Sequence, residues 1–177
     1  GLQGFFQTYP STCRGQQASR ALGLHDDAAW RALGAALPAS LDADGLARYF
    51  PAGPESAQEG SDRLTAYLLA TAHSAGRSWP APLQERMLQG LAAFVEGRVV
   101  RRFRSPKADL DVRKLAALEA LSRHGAARPA MASSLSIAPN QWPTSAVIDW
   151  INVLRRVPGI PEQRARLREA EQILRAR

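Results

Sequence analysis

The sequence is poor in the residues from which metal and redox centres are built. It has a single cysteine, Cys13, so an internal disulfide and a Cys-x-x-Cys pair are both excluded. Its three histidines, His25, His73 and His124, lie far apart and give neither metal-ligand spacing nor a His-Glu-x-x-His motif. No Gly-rich phosphate loop occurs. No apolar run approaches the ~20 residues that span a bilayer. No fixed period recurs, which argues against tetratricopeptide and HEAT arrays. Lysine is scarce: Lys107 and Lys114 are the only two, and arginine carries the rest of the positive charge. No signal peptide begins at Gly1, and the chain reads as a piece excised from a longer protein.

What remains is an ordinary globular balance. With 177 residues, 45% hydrophobic and 22% charged, the chain suits a single domain over 1–177 with a real core. The formal charge of +7 raises nucleic acid or an acidic surface as a partner. Joint enrichment in arginine and alanine tracks a GC-rich genome, which weakens that reading, and no nucleic-acid partner is expected. The densest cluster, Arg98, Arg101, Arg102 and Arg104, reads as a phosphate-contacting patch or as a solvated helix end.

Hydrophobic spacing is helical nearly throughout, so the expected fold is all-α, built from antiparallel helical hairpins. A first helix runs from Pro10 to Leu22 and stops at Gly23. Asp26 caps a second, with Ala29, Trp30, Leu33 and Leu37 on its apolar face and Pro38 closing it. Residues 41–50 read as a turn with short extended arms, and 51–60 as an exposed loop. Ser61 or Asp62 opens a third helix carrying Leu64, Tyr67, Leu68, Thr71 and Ala72, which Gly76 stops. Pro80 and Pro82 precede a fourth helix, with Leu83, Met87, Leu91, Phe94, Val95 and Val99 inside. Asp109 opens a fifth, burying Leu110, Val112, Leu115, Leu118 and Leu121 and ending near Gly125. Pro129 begins a short sixth. Thr144 caps a seventh, with Val147, Ile148, Ile151 and Leu154 inward. Pro161 begins an eighth, with Leu167, Ala170, Ile173 and Leu174 on one side.

Cys13 stands where a helix begins, and Gln16 follows three residues later. Residues three apart share a helix face, so the thiol and the carboxamide can meet. A thiol that attacks a side-chain amide and expels ammonia gives an internal thioester, an acyl group stored in activated form. Two other readings stand beside this one. Cys13 is a small buried apolar residue, or a thiolate favoured by the positive end of a helix, with His25, His73 or His124 as its base.

Around this pair, Tyr9, Pro10, Cys13, Gln16, Ser19 and Arg20 resemble the thioester segment of the bacterial α2-macroglobulin family. There Tyr-Pro-x-x-Cys-Leu-Glu-Gln leads into a Ser-Arg helix. Arg14 stands where that pattern has Leu and Gly15 where it has Glu, with Gln17 next in the segment; both departures bear on whether the bond forms. Further stretches resemble the same family in order: Ser61 to Tyr67, Asp111 to Leu118, Ile137 to Ala146 and Glu169 to Arg175. Of these, Trp142-Pro143-Thr144 is the most distinctive.

The resemblance implies that the chain is the first portion of a thioester-type α/α toroid, a ring of helical hairpins whose free edge can self-associate. It implies a protease trap without enzymatic activity, metal or cofactor, the Cys13–Gln16 cross-link being its only special chemistry. Proteases would be its covalent targets. Neighbouring domains of the full-length protein and a penicillin-binding protein would be further partners. The location implied is the periplasm, with anchoring to the inner membrane. Tyr9, Phe5 and Phe6 are candidates for shielding the bond from water, or are ordinary core. Arg14 is expected to point outward, because a charge beside a dry bond is costly. Gly15 either loosens the helix turn or permits a tight non-helical one. Two other classes stay open: a helical scaffold without covalent chemistry, and an enzyme on a toroid. The latter would need paired acids, and Asp109/Asp111 and Glu169/Glu171 do not share a helix face.

Overall fold

The computed structural model describes residues 13–49, 59–99 and 107–177. Among them are seven α-helices: α1 (Arg14–Gly23), α2 (Asp27–Ala36), α3 (Asp62–Ser74), α4 (Ala81–Val95), α5 (Lys107–Arg123), α6 (Thr144–Arg156) and α7 (Gln163–Arg175). Short 3-10 helices cover Leu37–Ser40, Pro129–Ser134 and Pro139–Gln141. The expected all-α fold is the one observed. The chain divides into two compact units, Gly1–Gln89 and Gly90–Arg177.

In the first unit the helix starts follow from side chains that replace missing backbone partners. Asp26 accepts from the Ala29 N–H at 2.9 Å and caps α2, and Ser61 accepts from the Leu64 N–H at 3.1 Å and caps α3. The segment 41–49 is a turn with extended arms, closed by an antiparallel bridge between Leu41 and Ala47. Gly60 is buried, against the expectation of an exposed loop there. A Cβ on it would lie 2.0 Å from the Leu46 carbonyl oxygen. Trp30 of α2 stacks on Trp79 with ring centroids 4.0 Å apart, and the Trp79 indole N–H donates to the Leu68 carbonyl. Tyr67 stands 41% exposed although its spacing suggested the apolar face.

Helix directions follow from paired contacts. Arg14 at the start of α1 meets Ser40 just beyond α2, so these two run antiparallel. Gly15 faces Leu64, and Ser19 hydrogen-bonds Tyr67, so α1 and α3 run parallel.

The second unit shows the same alternation. Asp111 near the start of α5 accepts from the Trp142 indole just before α6, and Glu119 further along meets Arg156 near the end of α6. These helices therefore run parallel, as alternation through the short element at Pro129 requires, because the connection 124–143 is long enough to return along them. Arg155 of α6 pairs with Glu171 of α7, and Thr144 accepts from Arg177, which makes that pair antiparallel. The core is Leu115, Leu118, Leu121, Val147, Trp150, Ile151 and Leu154. Leu110 and Val112 are half-buried, and α5 instead buries Asp111 and Glu119. Ile148 is 44% exposed and not inward. Thr144 makes no cap, since Pro143 holds the N-cap position of α6. Helix α4 ends at Val95, which leaves Val99 beyond it. Leu167, Ile173 and Leu174 are half-buried and only Ala170 of α7 is fully enclosed.

Helix ends supply the clearest correction. Gly76, Gly97 and Gly125 take positive φ, and the following residue reaches back to a carbonyl five positions earlier. Helix α1 ends the same way, but on His25 with φ 52°, where the Asp26 N–H bonds the Ala21 carbonyl. Gly23 lies inside the helix and does not stop it. A side chain in the left-handed region costs about 1–2 kcal/mol that glycine does not pay. The change His25→Gly should therefore raise the melting temperature, by about 2–4 °C. An unchanged or lower value in a thermal melt would contradict this.

A second stability term depends on pH. Asp149 of α6 is half-buried beside Glu119, with Arg123 and Arg156 close by. Burial first, then the Glu119 charge, push its carboxyl up to about 7, against the opposing pull of the two arginines. The folded state thus holds a proton that the unfolded chain has already lost. This group's contribution is complete below the ordinary carboxylate range and is lost as pH rises through about 7. From about pH 5 to about pH 8 the melting temperature of Asp149→Asn should rise relative to the unaltered chain. Parallel curves for the two proteins would refute it.

Candidate functional site

Cys13 occupies the N-cap position of α1 with extended backbone angles (φ −73°, ψ 134°). The helix starts at Arg14, later than expected; Tyr9, Pro10, Phe5 and Phe6 lie outside the described residues. The Cys13 carbonyl accepts the first intrahelical bond, from the Gln17 N–H at 2.9 Å. Its side chain makes no capping bond. Gln16 is the third helical residue and is exposed, whereas Cys13 is half-buried. The N-cap and third positions are the pair that exchange side-chain-to-backbone hydrogen bonds in a capping box. Cys13 and Gln16 hold those two places, which adds a purely local reading of their spacing to the chemical one.

The two departures from the thioester pattern have defined structural roles. Arg14 does not point outward, as expected, but is only 9% exposed. Its Nε donates to Ser40 Oγ at 3.0 Å and its Nη1 to Gln17 Oε1 at 3.0 Å, while its backbone N–H donates to the Tyr49 carbonyl at 2.7 Å. Those oxygens offset part of the desolvation cost of the cation, and burial still holds its pKa below the ordinary guanidinium value. Gly15 is an ordinary helical residue, not a tight turn. A Cβ there would lie 3.2 Å from Leu64 Cδ1 and 3.8 Å from Cys13 Sγ. Its bare backbone lets α1 close on the start of α3.

The thiolate reading of Cys13 needs a base at hand. His25 lies at the far end of the ten-residue helix α1, about 15 Å along its axis, and His73 sits at the distal end of α3. His124 belongs to the other unit. Asp109 is exposed while Asp111 is buried and spent on the loop after Ser134, so that acid pair makes no catalytic couple. Glu171 is committed to Arg155. Among the described residues no cluster of His, Cys, Asp or Glu could hold a metal ion, and no helix is long and apolar enough to cross a membrane. Of the arginine cluster, Arg98 is described: it is exposed and paired with Glu96.

Sequence reasoning missed a groove beside this site. Arg14, Gln17, Ala21 and Leu24 form one wall, at spacings of three and four along α1, and Ala29, Ala32, Leu33 and Ala36 of α2 form the other. Its volume is about 470 Å³, with Arg20 and Asp26 on its margins. The stripe on α1 is visible in the sequence, but Ala29 had been assigned to the core.

No protein-family model matches the sequence, and no curated protein matches it. Solved structures do match its fold. Native alpha-2-macroglobulin from Escherichia coli, spanning domain MG7 to the C-terminus, aligns over 96% of this chain and 30% of its own, at a TM-score of 0.72 and 17% identity. Salmonella alpha-2-macroglobulin reacted with methylamine aligns over 97% and 12%, at 0.60 and 17%. Trypsin-activated alpha-2-macroglobulin from Escherichia coli aligns over 93% and 13%, at 0.60 and 18%. The chain therefore has the fold of one region of bacterial alpha-2-macroglobulins. It spans 30% or less of the length of each of these relatives.

The Arg14–Ser40 contact yields a test. Ser40→Ala leaves a buried guanidinium N–H without its acceptor and should cost about 1–3 kcal/mol. Replacing Arg14 by Leu in that background removes the stranded cation and should recover most of the loss. Denaturant melts that show additive losses for the two changes would break the argument.

Proposed function

We propose that this chain is the thioester-bearing segment of a bacterial alpha-2-macroglobulin-like protease inhibitor, the opening part of its α/α toroid. One observation carries the reading. Nearly the whole chain has the fold of those proteins, and Cys13 and Gln16 hold the N-cap and third positions of α1. The alternation of parallel and antiparallel helices supports the toroid, because a ring of hairpins needs every second helix to run the same way.

The chemistry is stoichiometric. Cys13 Sγ attacks Gln16 Cδ, the C–N bond breaks, and ammonia leaves a thioester. A lysine amine on an attacking protease then adds to the same carbon. A C–N bond forms, the C–S bond breaks, and the thiolate takes the proton the amine gives up. Each molecule reacts once, so this is an inhibitor and not an enzyme. The bond survives only while water is kept from it. Leu64, packed against Gly15, supplies apolar cover at that end. The relatives treated with methylamine and trypsin support amines and proteases as reactants for this chain. In the full-length protein, neighbouring domains would hold the site closed until cleavage elsewhere releases it. Such a trap belongs in the periplasm, tethered to the inner membrane, with a penicillin-binding protein as a neighbour.

Intact-mass measurement tests the bond. The purified chain should be one ammonia lighter than its sequence, and methylamine should add to it and release a titratable Cys13 thiol. The variant Cys13→Ala should show its full mass and ignore methylamine. Full mass with a freely titrating thiol in the unaltered chain overturns the covalent reading. A second reading then holds: a non-covalent packing module of a thioester-lacking relative. Its supporting observation is Arg14, a buried cation bonded to Ser40 beside the place where a dry bond would sit.

A further inference from the structure

The groove between α1 and α2 is chemically polarised. At one end the Arg14 guanidinium lines it, and at the other Asp26 caps α2. Small side chains, Ala21, Ala29, Ala32 and Ala36, leave the middle open and apolar. A guanidinium carries five N–H donors. Two of the Arg14 donors are taken, by the Ser40 hydroxyl and the Gln17 carboxamide, both neutral acceptors. The remaining three have no partner among the described residues, and no carboxylate there pairs with this nine-tenths-buried cation. A largely enclosed cation with donors unpaired among the described residues, lining a groove, is what an incoming carboxylate would complete.

We propose that this groove docks an acidic segment of a partner protein, whose carboxylate takes the free donors of Arg14 while its aliphatic side chains lie on the alanine walls. The occupant is a carboxylate-bearing peptide and not a bare anion, because Ala21, Leu24, Ala29, Ala32, Leu33 and Ala36 give the groove a long apolar stretch beside its cation. The docking stands apart from the Cys13–Gln16 bond, because neither group of that pair lines the groove.

The test titrates the isotope-labelled 177-residue chain with an amidated alanine–leucine peptide carrying glutamate, and with its glutamine twin, by amide NMR. The glutamate peptide should shift the amides of α1 and α2 along the groove and bind about tenfold more tightly than the twin. That advantage should vanish in Arg14→Leu and shrink at high salt. Equal binding of the two peptides, shifts elsewhere on the molecule, or acetate alone binding as well as the peptide would each overturn the proposal. Should Arg14→Leu fail to fold, the glutamate-to-glutamine ratio on the unaltered chain decides the question alone.

Discussion

The surroundings of the candidate site depend on one buried carboxylate. Asp42 accepts from the backbone N–H groups of Asp44 and Leu46 through Oδ1, at 2.9 and 3.0 Å, and from Gly60 through Oδ2 at 2.7 Å. An ion removed from water costs several kcal/mol unless such bonds replace its hydration. These three satisfy the carboxylate and, in doing so, join the 41–47 bridge to the start of α3. The bridge is tied again where Thr65 Oγ1 accepts from the Ala47 N–H. Leu64 stands between these anchors and meets Gly15, and the Tyr49 carbonyl beyond the bridge receives the Arg14 N–H. The start of α1 is thus positioned from outside itself. In the second unit Asp111 does the same work, holding Ser136, Ile137 and the Trp142 indole.

Local chemistry made much of the fold legible. Asp26 and Ser61 announce helix starts because a short oxygen-bearing side chain there replaces a lost backbone partner, and both do so. Gly76 and Gly125 announce stops because only glycine takes the left-handed turn without strain, and both take it. The errors arose where tertiary contacts overrode local preference. His25 accepts a strained conformation because the chain must reverse there, between two packed helices. Thr144 gives up its capping role and accepts a hydrogen bond from Arg177. Asp111 and Glu119 sit within an apolar run, and nothing in that run marks them as buried. Their burial depends on partners at distant positions, Ser136 and Arg156, which no local pattern signals.

At the candidate site the sequence revealed residue types and spacing but not direction. Cys13 and Gln16 are separated by the right number of residues for a helix face, and the structure places them at its cap and third positions. Arg14 was read as outward because a lone charge avoids burial. Ser40 and Gln17 reverse that expectation, since a neutral oxygen at each of two guanidinium nitrogens lowers the cost of enclosing it. Gly15 was expected either to loosen the turn or to permit a tight non-helical one, whereas it is helical and its bare backbone faces Leu64. Ser40 and Leu64, which decide these two cases, lie on elements remote in sequence.

These placements divide α1 by face. Gly15 and Ser19 turn toward α3, and Ala18 between them is wholly enclosed. Arg14, Gln17 and Ala21 turn toward α2 and form a wall of the groove. Cys13 and Gln16 occupy the helix start, with Gln16 exposed to solvent. An α-helix advances 100° per residue, so neighbouring positions serve separate surfaces without competing. The two departures from the thioester pattern fall on the two packed faces, one each, with Gly15 also adjoining Cys13 Sγ. Packing therefore places its demands on Arg14 and Gly15 along two faces of the helix, separate from the solvent-exposed side that carries Gln16.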